Sequence, residues 1–412
     1  MGASASASAP VNYTKSFMST SAAQAKSISA AATQPRHILF LFDQLCNLDG
    51  GAERSLLKII QHLPKRYRAS IVTFSESKDP AFLAKFKCPV RIMPLTKAVG
   101  WKSLKAAIEL RKYIKKENVS IVQTFFATSD LWGAPIAKLS GCPVIISSRR
   151  DMGFLRNLKH RIAYKLLAPM YDAVHTVSSA VRDYTIKHDH MKPERVITIV
   201  NGVDIRPLPS DADLDAFRMR LGLGAKGPII SDIGSVKAVK GYDVLAKAAK
   251  RVCAKYPNAL FVIAGAVPDI EYLRRLQTLI EEMGLSNNFR FMGRIDESFP
   301  LLQISSIFCH LSLTDGLSNS LLEAMEAQLP CVISRVGGNP EVVDDGQSGF
   351  IVPPGDHVEA AERILELLDY PAKARQMGKL GRRIIETQFT AGGMALSLAG
   401  LYDELLKSKQ LF

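Results

Sequence analysis

The chain has 412 residues, 47% of them hydrophobic and 22% charged, too long for one compact core and suited to two soluble domains of ordinary size. No apolar run approaches the roughly 18 uninterrupted residues that span a bilayer. The net charge of +14 comes without zinc-finger, RNP or basic-zipper spacing, which argues against a nucleic-acid module.

Residues 1–35 are rich in Ala and Ser and contain no acid, so they read as a disordered segment. A transit peptide, or an acylation site at Met1-Gly2-Ala3-Ser4-Ala5-Ser6, carries less weight than an added linker with Met18 as the original start. From His37 onward, continuous apolar runs read as buried parallel strands: 37–45, 69–74, 90–95, 119–126, 143–148, 173–178 and 196–200. Helix-length segments lie between them, at 52–63, 101–117, 131–140 and 155–169. This β-α alternation predicts a doubly wound α/β domain over residues 36–205. Asn201-Gly202-Val203-Asp204 then opens a stretch with Pro207, Pro209, Ser210 and alternating Asp that reads as a linker. The alternation restarts over 206–387, with strands at 228–233, 259–264, 289–292, 307–311 and 330–334. Helices are expected near 242–255, 270–283, 320–328 and 358–368, with helical sequence from Ala372 to about Leu411. Two Rossmann-like halves of this kind leave a cleft in which the carboxyl ends of both strand sets face one ligand. The six cysteines, Cys46, Cys88, Cys142, Cys253, Cys309 and Cys331, form no C-x-x-C pair and read as buried, reduced thiols of a cytosolic protein.

The segment richest in chemistry is Leu313-Thr314-Asp315-Gly316-Leu317-Ser318-Asn319-Ser320-Leu321-Leu322-Glu323. It follows a strand and enters a helix. Gly316 permits the turn, and Ser318 and Asn319 are good N-cap types. The N–H groups of Ser320 and Leu321 form a positive helix start suited to a diphosphate. Asp315 and Glu323 bracket it, and carboxylates there suit the hydroxyls of a sugar and a ribose. Lys240, after the glycine turn that begins at Gly234-Ser235, can reach the cleft as a point charge on a phosphate. Gly50-Gly51 after the first strand lets the backbone approach a ligand, although such a turn also serves plain strand–helix connection.

Together these segments resemble the large retaining glycosyltransferases of the GT-B fold, of the family 4 or glycosyl transferases group 1 type. Their marker is a carboxylate, seven residues, then Glu, and Asp315 and Glu323 have that spacing. Gly51-Ala52-Glu53-Arg54, Asn201-Gly202-Val203-Asp204, Lys240-Gly241, Leu322-Glu323-Ala324-Met325, Gly337-Gly338 and Glu341-Val342-Val343 extend the match. The resemblance implies that Asp315 contacts the donor sugar and Glu323 the ribose. It also implies that Lys240 neutralises the diphosphate, approached by Gly51 from the first domain. The Met292-Gly293-Arg294 turn then lies where the nucleobase is held, and residues 388–412 form a helix returning toward the first domain. The implied chemistry is front-face transfer from a nucleotide-sugar, with UDP-sugar ahead of GDP-mannose and with no metal or other cofactor.

Three features depart from the family pattern. Asp315 stands for the usual Glu, one methylene shorter. Ser235 stands where many members have an Arg, a charge that Lys237 is placed to supply. Gln123-Thr124-Phe125-Phe126 lies where many relatives carry a His. A nucleotide-sugar 2-epimerase of the same fold and a non-catalytic sugar-nucleotide binder stand as alternatives. The acceptor is expected on the first half, where residues 1–205 hold 30 Lys/Arg against 14 Asp/Glu. That excess suggests a glycan or lipid-linked acceptor and an anionic membrane surface, with Trp101, Leu104 and Ile108 on an amphipathic helix. The alternative for those residues is a core-facing stripe with its lysines outside.

Overall fold

The computed structural model describes residues 34–45, 50–75, 80–95, 100–153, 156–223, 227–295 and 298–411. Met1–Pro35 and Arg36–Phe412 are separate units. Apart from Gln34 and Pro35, the expectations for the first unit, like that for Cys46, lie outside the described residues. The second unit holds two parallel sheets.

Seven strands form the first sheet: β1 (Arg36–Phe42), β2 (Tyr67–Thr73), β3 (Val90–Ile92), β4 (Val119–Phe125), β5 (Val144–Arg149), β6 (Ala173–Thr176) and β7 (Val196–Thr198). Their order is β3-β2-β1-β4-β5-β6-β7, parallel throughout. The second sheet has six: β8 (Ile229–Ile233), β9 (Leu260–Ala264), β10 (Phe289–Gly293), β11 (Ile307–His310), β12 (Cys331–Ser334) and β13 (Gly349–Val352). Its order, β10-β9-β8-β11-β12-β13, is again parallel. Both orders reverse direction beside the first strand, which opens a crevice at the carboxyl ends. The α/β reading with two doubly wound domains is therefore the observed architecture.

The principal helices are α1 (Gly51–Gln61), α2 (Trp101–Lys116), α3 (Leu158–Leu167), α4 (Ser179–Asp189), α5 (Tyr242–Lys255), α6 (Ile270–Glu282), α7 (Asn319–Glu326), α8 (His357–Asp369), α9 (Pro371–Gln388) and α10 (Ala391–Ser408). The first sheet is covered on one face by α1 and α10, around Phe40, Ile71, Leu398 and Tyr402. On the other face α2 and the helical stretch 129–139 pack over Leu39, Val72, Val122 and Ile145. In the second domain α5, α6, α8 and α9 cover one face around Phe261 and Ile307, while α7 covers the other around Phe308 and Ile333.

Several boundaries differ from the sequence reading. The stretch expected as a linker contains a helix, Asp211–Arg220, capped by Ser210 in a capping box with Asp213; its alternating acids are first-turn charges. The helical run from Ala372 is broken at Phe389-Thr390. There Val203 N donates to Phe389 O (2.9 Å), Ala391 N donates to Val203 O (2.8 Å) and Thr390 caps α10. After Gly337-Gly338 the chain makes a single 3-10 turn, Asn339–Glu341. Strand β13 escapes the sequence reading because it is four residues long and begins with Gly. Cys142, Cys309 and Cys331 are buried free thiols, whereas Cys88 and Cys253 are only half-buried.

A charged cluster lies inside the first domain. Arg149 pairs with Asp130 and with Asp189 (3.1 Å), and all three are at most 2% exposed. Arg156 reaches Asp189 at 2.9 Å, and the Tyr164 hydroxyl donates to Asp130 at 3.1 Å. Removing the shared cation leaves Asp130 without an ionic partner and Asp189 with Arg156 alone in a dry interior. Arg149→Met is therefore expected to cost about 3–5 kcal/mol, read as a lowered Tm; an unchanged Tm would show that the cluster does not hold the fold.

Candidate active site

The loop after β8 sets the first element of the site. Ala238–Lys240 forms a 3-10 turn closed by left-handed Gly241, and Lys240 Nζ donates to Asp315 Oδ2 at 2.7 Å. Asp315 sits in the loop between β11 and α7, where its Oδ1 accepts from Gly316 N (2.9 Å). Gly337, at φ 52°, lies so close to this loop that a Cβ there would stand 2.0 Å from Asp315 O. The carbonyl of Gly316 in turn accepts from Gly338 N (2.6 Å) and from Ser178 Oγ of the first domain (3.0 Å).

His310, at the end of β11, lies behind Asp315 and is fully buried. Its Nε2 is 3.1 Å from Asp315 Oδ2 and its Nδ1 is 2.9 Å from Asp232 Oδ1 on β8. Burial opposes charge on this ring. Asp232 and the hydrogen bonds to both acids outweigh burial and the nearby Lys240, and raise the histidine pKa above its ordinary 6.5. For Asp315, burial alone would favour the neutral acid, but Lys240 and His310 hold its carboxyl far below the usual range. The result is a line of alternating charge, Asp232–His310–Asp315–Lys240, ending at the cleft. Burial and Lys240 depress the Lys237 amine, with Asp315 and Asp151 partly offsetting them. The second lysine thus belongs to the same electrostatic neighbourhood.

Helix α7 begins with Ser318 as N-cap, its Oγ accepting from Leu321 N at 3.3 Å. The first intrahelical bond runs from Leu322 N to Ser318 O. The Leu321 amide is therefore held by the cap, and the amides of Asn319 and Ser320 precede the helical ladder. Ser320 is buried, with its hydroxyl 3.0 Å from that of Ser318. Asn319 Nδ2 donates to Gly51 O across the cleft at 2.7 Å, joining a residue expected from each half, while its buried Oδ1 has no partner. Glu323, 4% exposed, takes Arg54 Nη1 at 3.3 Å on both oxygens and Ser298 Oγ at 3.1 Å.

The structure thus brings together Asp315, Lys240, Asn319, Ser320, Glu323 and Gly51 along one line between the sheets. Ser235 is half-buried in the β8 loop near Lys240. Arg294 stands exposed past the end of β10, two strands away from β8. At the end of β4, buried Gln123 is turned inward: its Nε2 donates to Ser148 Oγ (2.8 Å) and Tyr402 of α10 donates to its Oε1. The residue exposed there is Phe126, in a left-handed backbone at φ 71°, a strained state for an aromatic.

Sequence reasoning missed His310, Asp232 and Arg150, and named Arg54 and Glu341 only as parts of the family match, without a role. Arg150 Nη2 donates to Ser55 Oγ (2.7 Å) and Asn201 Oδ1 (2.6 Å), its Nη1 has no partner, and burial pushes its pKa down to about 10. Glu341 accepts from Ser179 N (3.0 Å) and Ala180 N (3.2 Å), so one domain's acid caps helix α4 of the other. The available signal for two of them was a polar residue inside an apolar run: Asp232 in Ile-Ile-Ser-Asp-Ile and His310 in Ile-Phe-Cys-His-Leu.

Two family models account for most of the described chain: Glycosyltransferase Family 4 over residues 49–206 and Glycosyl transferases group 1 over residues 214–384. With its two facing Rossmann-like sheets, the chain belongs to the GT-B glycosyltransferases. It is 27% identical to UDP-Gal:alpha-D-GlcNAc-diphosphoundecaprenol alpha-1,3-galactosyltransferase of Escherichia coli over 267 residues, 62% of this chain and 68% of that protein. It is also 27% identical to N-acetyl-alpha-D-glucosaminyl L-malate synthase of Bacillus anthracis, over 57% of this chain and 60% of that one. The matched stretch thus leaves about a third or more of each relative unspanned. In fold, the crystal structure of a glycosyltransferase from Rickettsia africae superposes with a TM-score of 0.81 at 18% identity, covering 91% of this chain and 100% of that chain.

Proposed function

We propose that this protein is a retaining glycosyltransferase that moves a sugar from a nucleoside diphosphate sugar to a glycan or a lipid-linked saccharide. The observation that carries the reading is the meeting, in one cleft, of Lys240 with Asp315, Asn319 with Gly51, and buried Glu323 with Arg54. In the proposed step the bond from the anomeric carbon to the diphosphate oxygen breaks. The acceptor hydroxyl bonds to that carbon on the same face, and its proton passes to the departing diphosphate. Negative charge grows on that leaving group, so Lys240 and the first amides of α7 stabilise the transition state. Asp315 orients the donor sugar, and Glu323 accepts from the ribose as Arg54 gives up one of its oxygens. Ser235 lies beside the diphosphate and Arg294 beside the base. The assignment gives charge neutralisation to protein groups and calls on no metal or other cofactor.

A UDP-sugar is placed ahead of GDP-mannose, and the reaction is placed in the cytoplasm. Support for the donor and for a lipid diphosphate acceptor comes from the Escherichia coli relative, whose name specifies both. Arg150, a half-buried cation whose hydrogen-bond partners are neutral, supports an anionic acceptor group from the first domain. A thermal-shift series with UDP-, GDP- and ADP-sugars tests the donor. Saturating UDP-sugar at about 100 times its Kd is expected to add about 2.7 kcal/mol and raise Tm; no shift with any of the three would end the donor reading. Incubation with UDP-GlcNAc and no acceptor separates the epimerase, because only an epimerase turns over alone.

A further inference from the structure

The outer face of the first domain carries two apolar stripes that the fold leaves uncovered. On α2 the buried residues are Ser103, Ala106, Leu110 and Ile114. At 100° per residue, Trp101, Leu104 and Ile108 fall on the opposite side of that helix, and Trp101 is 83% exposed. On α3 the buried residue is Tyr164. Leu158, Ile162 and Leu166, spaced four apart, lie opposite it and are 68%, 53% and 72% exposed. The outward-facing stripe of α2 overturns the core-facing alternative. That of α3 has no counterpart in the sequence reading.

The two stripes belong to one surface. Trp132 Nε1 donates to Ser103 Oγ of α2 (2.9 Å), and Tyr164 of α3 donates to Asp130 (3.1 Å). Both helices therefore flank the helical stretch 129–139, whose last residue, Leu139, is also exposed. Each helix follows a strand of a parallel sheet and runs back against it, so each begins at the carboxyl edge, beside the cleft. Cations border the apolar residues: exposed Lys105, Lys112 and Lys115 on α2, and exposed Lys159, Arg161 and Lys165 on α3. Helix α3 contains no acid, and the single acid of α2, Glu109, is paired with Arg91 at 2.7 Å. In the second domain exposed large apolar residues such as Ile270 on α6, Val358 on α8 and Tyr370 between α8 and α9 lie on different elements and make no such stripe.

A large apolar surface in water is unfavourable unless something covers it. A face that is apolar along its centre and cationic along its edges matches the acyl boundary and headgroups of an anionic bilayer. The geometry points to α2 and α3 as a docking surface for an anionic phospholipid membrane, with the cleft mouth held at the lipid surface. No helix among the described residues is long and apolar enough to cross a membrane, so the contact is interfacial. This surface is defined by the exposed stripes and is independent of the sugar donor.

Co-sedimentation of the full chain with phosphatidylglycerol/phosphatidylcholine vesicles tests it, with phosphatidylcholine vesicles as the control. The expected result is association with the anionic vesicles at low salt, weakened by added salt, with a blue shift of Trp101 emission in a Trp132→Phe background. Leu158→Glu/Ile162→Glu and Trp101→Glu/Leu104→Glu should each abolish association while Tm is kept. Each lysine changed to Gln should weaken it roughly fivefold. Absence of association at low salt, or association that both pairs of substitutions leave unchanged, overturns the proposal. So does a concentration-dependent dimer, without vesicle binding, that the same substitutions dissolve: the surface is then a contact between copies. A donor-induced thermal shift without vesicle binding would refute the membrane surface and leave the transferase reading standing.

Discussion

Replacing Lys240 with Ala is expected to lower kcat for glycosyl transfer by about 100- to 1,000-fold, the range for removing one preorganised charge from a developing anion. The fold should survive. Lys240 is partly exposed, and Asp315 keeps its contacts with His310 and Gly316 when the lysine is gone. Glu323→Ala should also cut turnover by orders of magnitude, but with a different signature. If Glu323 binds the ribose, much of the loss should appear in the KM for the donor, because that contact exists before bond breaking. Arg54, which Glu323 now holds from the opposite domain, keeps part of its charge in water and tolerates the change. Steady-state kinetics with the donor found by thermal shift would decide. Full activity in both variants would remove the site assignment altogether.

The second large effect is expected at His310. In His310→Leu the carboxylate of Asp232, 1% exposed, loses its hydrogen-bonding partner. The cost should be about 3–5 kcal/mol, together with a loss of activity as Asp315 is freed on one side. The pH dependence has a definite sign. The folded-state pKa of His310 lies above the ordinary value. Its contribution to stability is therefore fully present below the unfolded value of about 6.5 and is lost as pH rises through the folded-state value. Asp315 works at the other end. Its depressed pKa stabilises the fold above the ordinary carboxylate range, and that contribution is lost as pH falls through the folded-state value. Tm followed from about pH 6 to pH 9 should decline in the wild type. Asp232→Asn, which removes the main source of the raised pKa, should shift that decline to lower pH. If the two profiles coincide, the histidine is not held charged by Asp232.

The legibility of this fold varied with how local the determinants were. Thirteen strands lie among the described residues, and twelve of them were readable because most are apolar runs of the kind that parallel strands covered on both faces require. The helix 211–220 hid behind Pro207, Pro209 and repeated Asp, turn-forming residues whose capping role needs the first turn of the helix to be seen. The interruption at Phe389-Thr390 could not be read from local pattern, only from the family resemblance that sets 388–412 apart, because it is made by Val203, almost two hundred residues earlier in the chain. Cys88 and Cys253 show the same limit, since an apolar neighbourhood in sequence does not say which side of an element faces out.

At the candidate site, residues on one loop or helix start were legible: Asp315, Ser318, Asn319, Ser320 and Glu323 share a turn chemistry that local rules describe. What the sequence determined by itself was the alternation of apolar runs and helices, the two-domain α/β plan, and the carboxylate pair around a helix start. Only the tertiary structure decided that Asp315 is gripped by Lys240 and His310, that Glu323 is met by Arg54 from the other domain, and that Glu341 caps α4. The physical reason is range. Capping, turns and periodicity act over a few residues, whereas Asp315, Lys240 and His310 meet because β8 and β11 are neighbours in one sheet, and the Glu323 and Glu341 contacts form because two sheets bring their carboxyl ends together. The same holds for α2 and α3: periodicity gives each helix two apolar stripes, and packing against the sheet decides which stripe is left facing outward.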